Sequence, residues 1–232
     1  MLKVTTISDI HGKHEKLNQY LPGGDILFCT GDITARNKQS LDDIYEVLLW
    51  MNKQNYKHIV LIAGNHDYFF QHNKLQTRQL LTRFKKITYL EDEQVWLTVN
   101  NITFSIFGSP HCSHAKNNAF LLTDSDEIQQ RFSGVKSPDV IITHGPPHGI
   151  LDTIKYNLHV GCRHFKEVII KQQPKLVLFG HIHQCYGYKE KSGTYFINGS
   201  VLSQEFKFKN LPISFEWEVI KNKVNFTTSD MQ

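Results

Sequence analysis

The chain has no apolar run approaching the roughly 18–20 residues that would cross a bilayer. It also has no basic segment followed by an apolar stretch and a small-residue cleavage site at its start, where Leu2-Lys3-Val4-Thr5-Thr6-Ile7 begins at once. A membrane span and a secretory leader are therefore not expected. Cysteine is scarce: Cys29, Cys112, Cys162 and Cys185 are the four, without C-x-x-C spacing. That excludes a zinc ribbon and a disulfide scaffold and suits reduced thiols in the cytoplasm. There is no low-complexity tract, repeat or Pro/Gly-rich linker, so residues 1–232 read as a single domain. One-signed charge is absent too. A formal charge of +4, with the basic residues scattered, gives no basic stripe of the kind that tracks nucleic acid.

What remains is an ordinary globular composition, 40% apolar and 21% charged, with one excess. Thirteen residues are histidine, the commonest metal ligand. Their placement follows a pattern. Short apolar runs each end in a polar, glycine-containing turn: Leu2 to Ile7 before Ser8-Asp9-Ile10-His11-Gly12, and Ile26 to Cys29 before Thr30-Gly31-Asp32. The same holds for His58 to Ile62 before Ala63-Gly64-Asn65-His66-Asp67, Val140 to Ile142 before Thr143-His144-Gly145-Pro146-Pro147, and Leu176 to Phe179 before Gly180-His181-Ile182-His183. Continuous apolar runs are typical of strands buried on both faces.

Between them, Leu41, Ile44, Leu48 and Met51 recur at helical spacing, and Cys162 to Gln172 predicts a helix stopped by Pro174. Val95 to Phe107 predicts a hairpin turning at Asn100-Asn101, and Thr194 to Ile197, Ile213 to Ile220 and Lys223 to Thr227 predict a β-rich tail. The whole is an α/β layered sandwich, with its polar clusters at the carboxyl ends of strands, where open α/β sheets place their sites.

These clusters can serve metal chemistry. Asp9 and His11 are separated by one residue, as are His181 and His183, so each pair can face one way off an extended strand end. Asp32 can bridge two ions, Asn65 offers a neutral carbonyl oxygen, and His144 completes a set of nitrogen and oxygen donors without thiolate. Such a set suits two divalent transition-metal ions, Mn first, with Fe, Zn, Co or Ni as alternatives.

The order D-x-H, G-D, G-N-H-D, H-G, G-H-x-H over residues 9–183 resembles the calcineurin-like metallophosphoesterase superfamily. The resemblance implies a four-layer αββα sandwich. It implies one metal on Asp9, His11, Asp32 and His183, a second on Asp32, Asn65, His144 and His181, and His66 as general acid. More narrowly, Gly24-Asp25-Ile26-Leu27, His144-Gly145-Pro146-Pro147 and Gly149-Ile150-Leu151-Asp152 resemble the MPPED subfamily, which implies hydrolysis of small phosphodiesters such as cyclic nucleotides by in-line attack of a metal-bridging hydroxide. Serine/threonine phosphatases carry an aspartate three residues past the bridging one. Ala35 stands there, which argues against that class, while Arg36 falls at their phosphate-binding arginine.

Arg36 and His148 are candidate substrate contacts, each with a surface loop as the plainer reading. His111 and His114, flanking Cys112, are expected in a polar surface loop. Tyr68, Phe69 and Phe70 could stack on a base, but core packing is expected for at least two of them. Two alternatives remain to a phosphodiesterase of small diesters or nucleotides. A nuclease should show a basic groove, so nucleic acid is the less favoured substrate. A non-catalytic protein-interaction scaffold should have lost ligands, and the set is complete.

Overall fold

The computed structural model describes residues 1–35, 39–113, 118–122 and 125–227. Arg36 and His114 lie outside the described residues. The strands are β1 (Leu2–Ile7), β2 (Gly24–Cys29), β3 (Tyr56–Leu61), β4 (Ile87–Tyr89), β5 (Glu93–Val99), β6 (Ile102–Ser109), β7 (Val140–Thr143), β8 (Leu176–Phe179), β9 (Gly187–Lys191), β10 (Thr194–Asn198), β11 (Ile213–Glu218) and β12 (Lys223–Phe226). The helices are α1 (Leu41–Lys53), α2 (Tyr68–His72), α3 (Lys74–Leu81), α4 (Ser125–Phe132) and α5 (Arg163–Gln172). Two six-stranded sheets result, in the orders β12-β11-β1-β2-β3-β4 and β5-β6-β7-β8-β10-β9. β1 to β4 run parallel in the first, and β6, β7, β8 and β10 run parallel in the second.

Alternation along the strands builds the layers. In β2, Ile26 and Phe28 face the second sheet, while Leu27 and Cys29 face the helices. The inter-sheet core joins these residues, with Val4, Phe215 and Trp217, to Phe104, Ile106, Val140, Ile142, Leu176 and Leu178. Outside the first sheet lie Ile44, Leu48 and Met51 of α1 with Phe70. Outside the second, Ile128 and Phe132 of α4 and Phe165 and Ile169 of α5 cover Ile141, Val177, Phe179 and Phe196. The architecture is a four-layer αββα sandwich. Both faces of the central strands are buried, hence their continuous apolar runs.

Local chemistry sets the element ends. Ser40 caps α1, its hydroxyl accepting from Asp43 N while Asp43 accepts from Ser40 N, a capping box. Asn100 and Asn101 take φ of 51° and 62°, the left-handed pair that a two-residue hairpin requires and asparagine tolerates. The tail departs from expectation at Ile220, which lies in the β11–β12 turn and is 90% exposed. Among the described residues no helix is long and apolar enough to cross a membrane.

Trp217, fully buried, packs edge-on to Phe104 across the two sheets, with ring centroids 5.2 Å apart. Trp217→Ala is expected to lower unfolding free energy by about 3–5 kcal/mol. Urea denaturation measures this. A loss well below 1 kcal/mol would show that the inter-sheet core closes without it.

Candidate metal centre

Parallel strands bring five turns to one edge of the sandwich. After β1 and β2 the chain runs in two adjacent strips: Asp9 N donates to Gly31 O (3.0 Å) and His11 N to Asp32 O (2.9 Å). The second sheet is tied to the first at the same edge. His181 N donates to Asp9 Oδ2 (3.0 Å), and Ser200 Oγ, just past β10, donates to the same oxygen (2.8 Å). Asp9, His11, Asp32 and His181 sit at φ of 55°, 42°, 53° and 67°, a left-handed backbone that is uncommon outside glycine and tends to gather at functional sites. Two glycines make room for the carboxylates. A Cβ on Gly64 would fall 2.3 Å from Asp32 Oδ1, and one on Gly180 would fall 2.3 Å from Asp9 Oδ2.

All seven candidate ligands converge here. Asp9, Asp32, Asn65 and His144 are at most 1% exposed and His11 is 6% exposed, while His181 and His183 are half-buried. His183 Nε2 lies 3.3 Å from Asp9 Oδ1. Asp32 Oδ2 stands between His11 Nε2 at 3.5 Å and His144 Nε2 at 3.4 Å. Asn65 Oδ1 is 2.9 Å from His144 Nε2 and 2.8 Å from His181 Nδ1. Two donor groups are close enough to hold an ion: Asp9, His11 and His183, and Asp9, Asp32 and His144. Asp9 belongs to both, and Asp32 Oδ2 stands between a ring of each, so either carboxylate could reach two ions.

The donors fit cations. His144 Nδ1–H donates to the Thr30 carbonyl (2.9 Å) and His183 Nδ1–H to that of Ser203 (2.8 Å), which leaves each Nε2 as the ligating atom. A neutral His144 therefore turns a lone pair toward Asn65 Oδ1, another acceptor, and a proton or a cation between them would reconcile the two. Both ring nitrogens of His11 are buried without a hydrogen-bond partner among the described residues.

Electrostatics agree. Burial alone would neutralise Asp9 and Asp32, yet His183 and His144 hold both well below the usual carboxylate range. Burial opposes the proton on His144 and His183, but Asp32 and Asp9 outweigh it and raise each to about 9. Burial, with the charge of His144, lowers His181 to about 4, and burial also lowers His11.

His66, expected to be the general acid, is half-buried at the mouth. Its backbone N–H donates to Asp32 Oδ1 (2.7 Å) and its Nε2 is 4.0 Å from Asp32 Oδ2. A cavity of about 230 Å³ opens here, lined by Asp32, His66, Ile154, His181, Ile182, His183, Gln204 and Phe206. His148 does not line it; its ring packs on His159, with centroids 5.5 Å apart. His111 is corrected: it is 8% exposed and bonded through Nδ1 to Asp92 Oδ1 (3.1 Å), which also pairs with Arg131. The partner, Asp92, lies 19 residues upstream and is itself only half-buried. Phe69 and Phe70 are core, and the Tyr68 hydroxyl bonds Asn118.

Two supporting residues had no assigned role. Asp67, fully buried, accepts from Ile33 N, Thr34 N, Thr34 Oγ1 and Gly64 N, clamping the turns that carry Asp32 and Asn65. It was visible within G-N-H-D. Ser200 carried no signal, because its partner Asp9 is 191 residues away.

A buried nest of carboxylates, imidazoles and one amide on the edge of an αββα sandwich has the makings of a metallohydrolase centre. A family model for calcineurin-like phosphoesterases matches residues 2–185, and the chain belongs to that family. It is 27% identical over 235 residues to human metallophosphoesterase domain-containing protein 1, covering 93% of this chain and 71% of that protein. It is 30% identical over 168 residues to a Coxiella burnetii protein named "Probable cyclic nucleotide phosphodiesterase", covering 70% and 61% respectively. A longer relative from Emericella nidulans is matched over only 18% of its own length. The solved structure of TT1561 from Thermus thermophilus, 12% identical, superposes with a TM-score of 0.66 over 97% of both chains, so the two share a fold.

Cation binding should be coupled to protons. With His144 and His183 raised to about 9, both are protonated at neutral pH, and a cation taking either Nε2 displaces a proton. Uptake at neutral pH should release about two protons, and affinity should climb as pH rises toward that value. Calorimetric titration with Mn²⁺ in buffers of different ionisation enthalpy reads this. Heats independent of the buffer would contradict it.

Proposed function

We propose that the chain is a phosphodiesterase of small diesters, cyclic nucleotides among them, working with two divalent cations, Mn²⁺ first. The convergence of Asp9, His11, Asp32, Asn65, His144, His181 and His183 at one edge of the sandwich, with Asp32, His181 and His183 lining the cavity there, is the observation that carries this reading. The nitrogen and oxygen donor set supports Mn²⁺ over a thiophilic ion. The Coxiella relative's name supports a diester. So does the lining, which among the described residues has no lysine or arginine to meet a polyanion or a nucleic-acid strand. The chain is read as one domain, and four free cysteines suit the cytoplasm.

Asp9, His11, Asp32 and His183 would hold one cation, and Asp32, Asn65, His144 and His181 the other. Such cations supply Lewis acidity, acidifying a water nucleophile and offsetting charge on the phosphoryl oxygens. The chain's own part is positional. Thr30 O and Ser203 O fix the tautomers of His144 and His183, and His181 N and Ser200 Oγ hold Asp9. His66, at the mouth and outside both donor sets, gives its proton to the departing oxygen, opposite the attacking water in an in-line displacement.

Asp32→Asn should cripple both cation positions, since an amide neutralises neither ion. Metal stoichiometry by elemental analysis, with turnover of a nitrophenyl diester in Mn²⁺ and in EDTA, measures this. A variant with two ions and parental rates would reject Asp32 as the bridge, and parental turnover in metal-stripped protein would reject the reading.

His66→Ala should keep its cations and lose about 10²–10⁴-fold in rate on a ribose-leaving diester, a general acid's usual contribution. It should lose far less on a nitrophenyl ester, whose phenolate departs without a proton. Equal losses on both would assign His66 to substrate binding.

A further inference from the structure

The side chains proposed to hold cations, with His66, account for only part of the cavity lining. Ile154, Ile182, Phe206 and Gln204 complete it, three apolar groups and one neutral amide. A phosphoryl group bound between the cations and His66 leaves this remainder to face whatever the phosphate is esterified to.

We propose that these residues form a subsite for the organic group of the substrate, with Phe206 as its stacking platform, and that the group selected is a flat ring such as a nucleobase. This rests on the phosphoesterase reading above.

The Phe206 ring is half-buried and held edge-on to two imidazoles, with centroids 4.8 Å from His11 and 5.5 Å from His183. Its backbone is fixed in a left-handed turn at φ 57°, with its N–H donating to Ser203 O (2.9 Å) and its carbonyl accepting from Lys13 Nζ. Ile182 stands between His181 and His183, its carbonyl accepting from Asn198 Nδ2 (3.0 Å), so its side chain is placed by the same turn that presents both histidines. Ile154 is linked to that turn through its neighbour. The Thr153 carbonyl accepts from Gln184 Nε2 (2.8 Å) and Cys185 Sγ (3.0 Å), and Gln204 donates to Gln184. Three chain segments are thus bonded into one rim, pre-set around an apolar face. A pre-set aromatic face favours planar ligands because stacking needs no reorganisation and tolerates any base. Without a lysine or arginine among the described lining residues, selection of the organic group falls to burial and stacking.

The test is calorimetric binding to the Mn²⁺-loaded chain of two ligands that share a phosphomonoester head, thymidine 5′-monophosphate and methyl phosphate. The parent should bind the nucleotide about 10–100-fold more tightly, the worth of one base stacked on an aromatic ring. Phe206→Ala should erase that preference by weakening the nucleotide alone, with metal content unchanged, and Phe206→Trp should keep it. Equal affinities in the parent would overturn the subsite. So would a Phe206→Ala variant that loses both ligands together with its metals, which would make Phe206 a prop for His11 and His183. Failure of the phosphoesterase reading would appear separately, as absent turnover with the binding preference intact.

Discussion

Two carboxylates withdrawn from water set the terms for the rest of the molecule. Asp9 and Asp32 are 0% and 1% exposed, and among the described residues their ion-pair partners are imidazoles only. An isolated buried carboxylate costs several kcal/mol, so positive charge has to be present at that edge. Protons on His144 and His183, both raised to about 9 by these carboxylates, can supply it, as can cations. The same demand explains why the surroundings are so specific. Glycine is required at 64 and 180, where a side chain would collide with these carboxylates. Backbone and hydroxyl donors at His66, His181 and Ser200 point at them. Parallel strands are required in both sheets, because only then do turns far apart in sequence reach one edge.

The polar edge and the apolar layers divide the work. Three hydrophobic clusters lie between and outside the sheets, so the sandwich has ample burial of its own. Asp67 is the joint between the two regimes. It sits under the turns after β2 and β3 and converts the rigidity of those strands into fixed positions for Asp32 and Asn65.

Much of this was legible in the chain itself. Apolar runs ending in D-x-H, G-D, G-N-H-D, H-G and G-H-x-H located the five central strands and the seven polar side chains that meet at one edge, because strand burial and residue spacing are both local patterns. The Asn100-Asn101 hairpin was legible for the same reason. What escaped depends on contacts distant in sequence. His111 read as a surface residue because its partner Asp92 is on another loop. Phe206 lies beyond the last motif, in a loop with no periodicity, and reaches the cavity only because β10 returns the chain beside β8. The short strands β4 and β9 and the helices α2 to α4 lack a strong period and were not anticipated.

The left-handed backbone at Asp9, His11, Asp32 and His181 is braced by the chain's own hydrogen bonds, through Asp67 and Ser200. In small metal-folded domains the ion supplies the folding free energy; here the layers stand on apolar burial. With the seven side chains holding cations as proposed, loading adds to a stability that the layers already supply, and folding does not wait on it. The supply of ions then sets the catalytic rate while the quantity of folded protein stays nearly constant. Exchange of one ion for another becomes a throttle on activity, reversible and independent of synthesis or turnover of the chain.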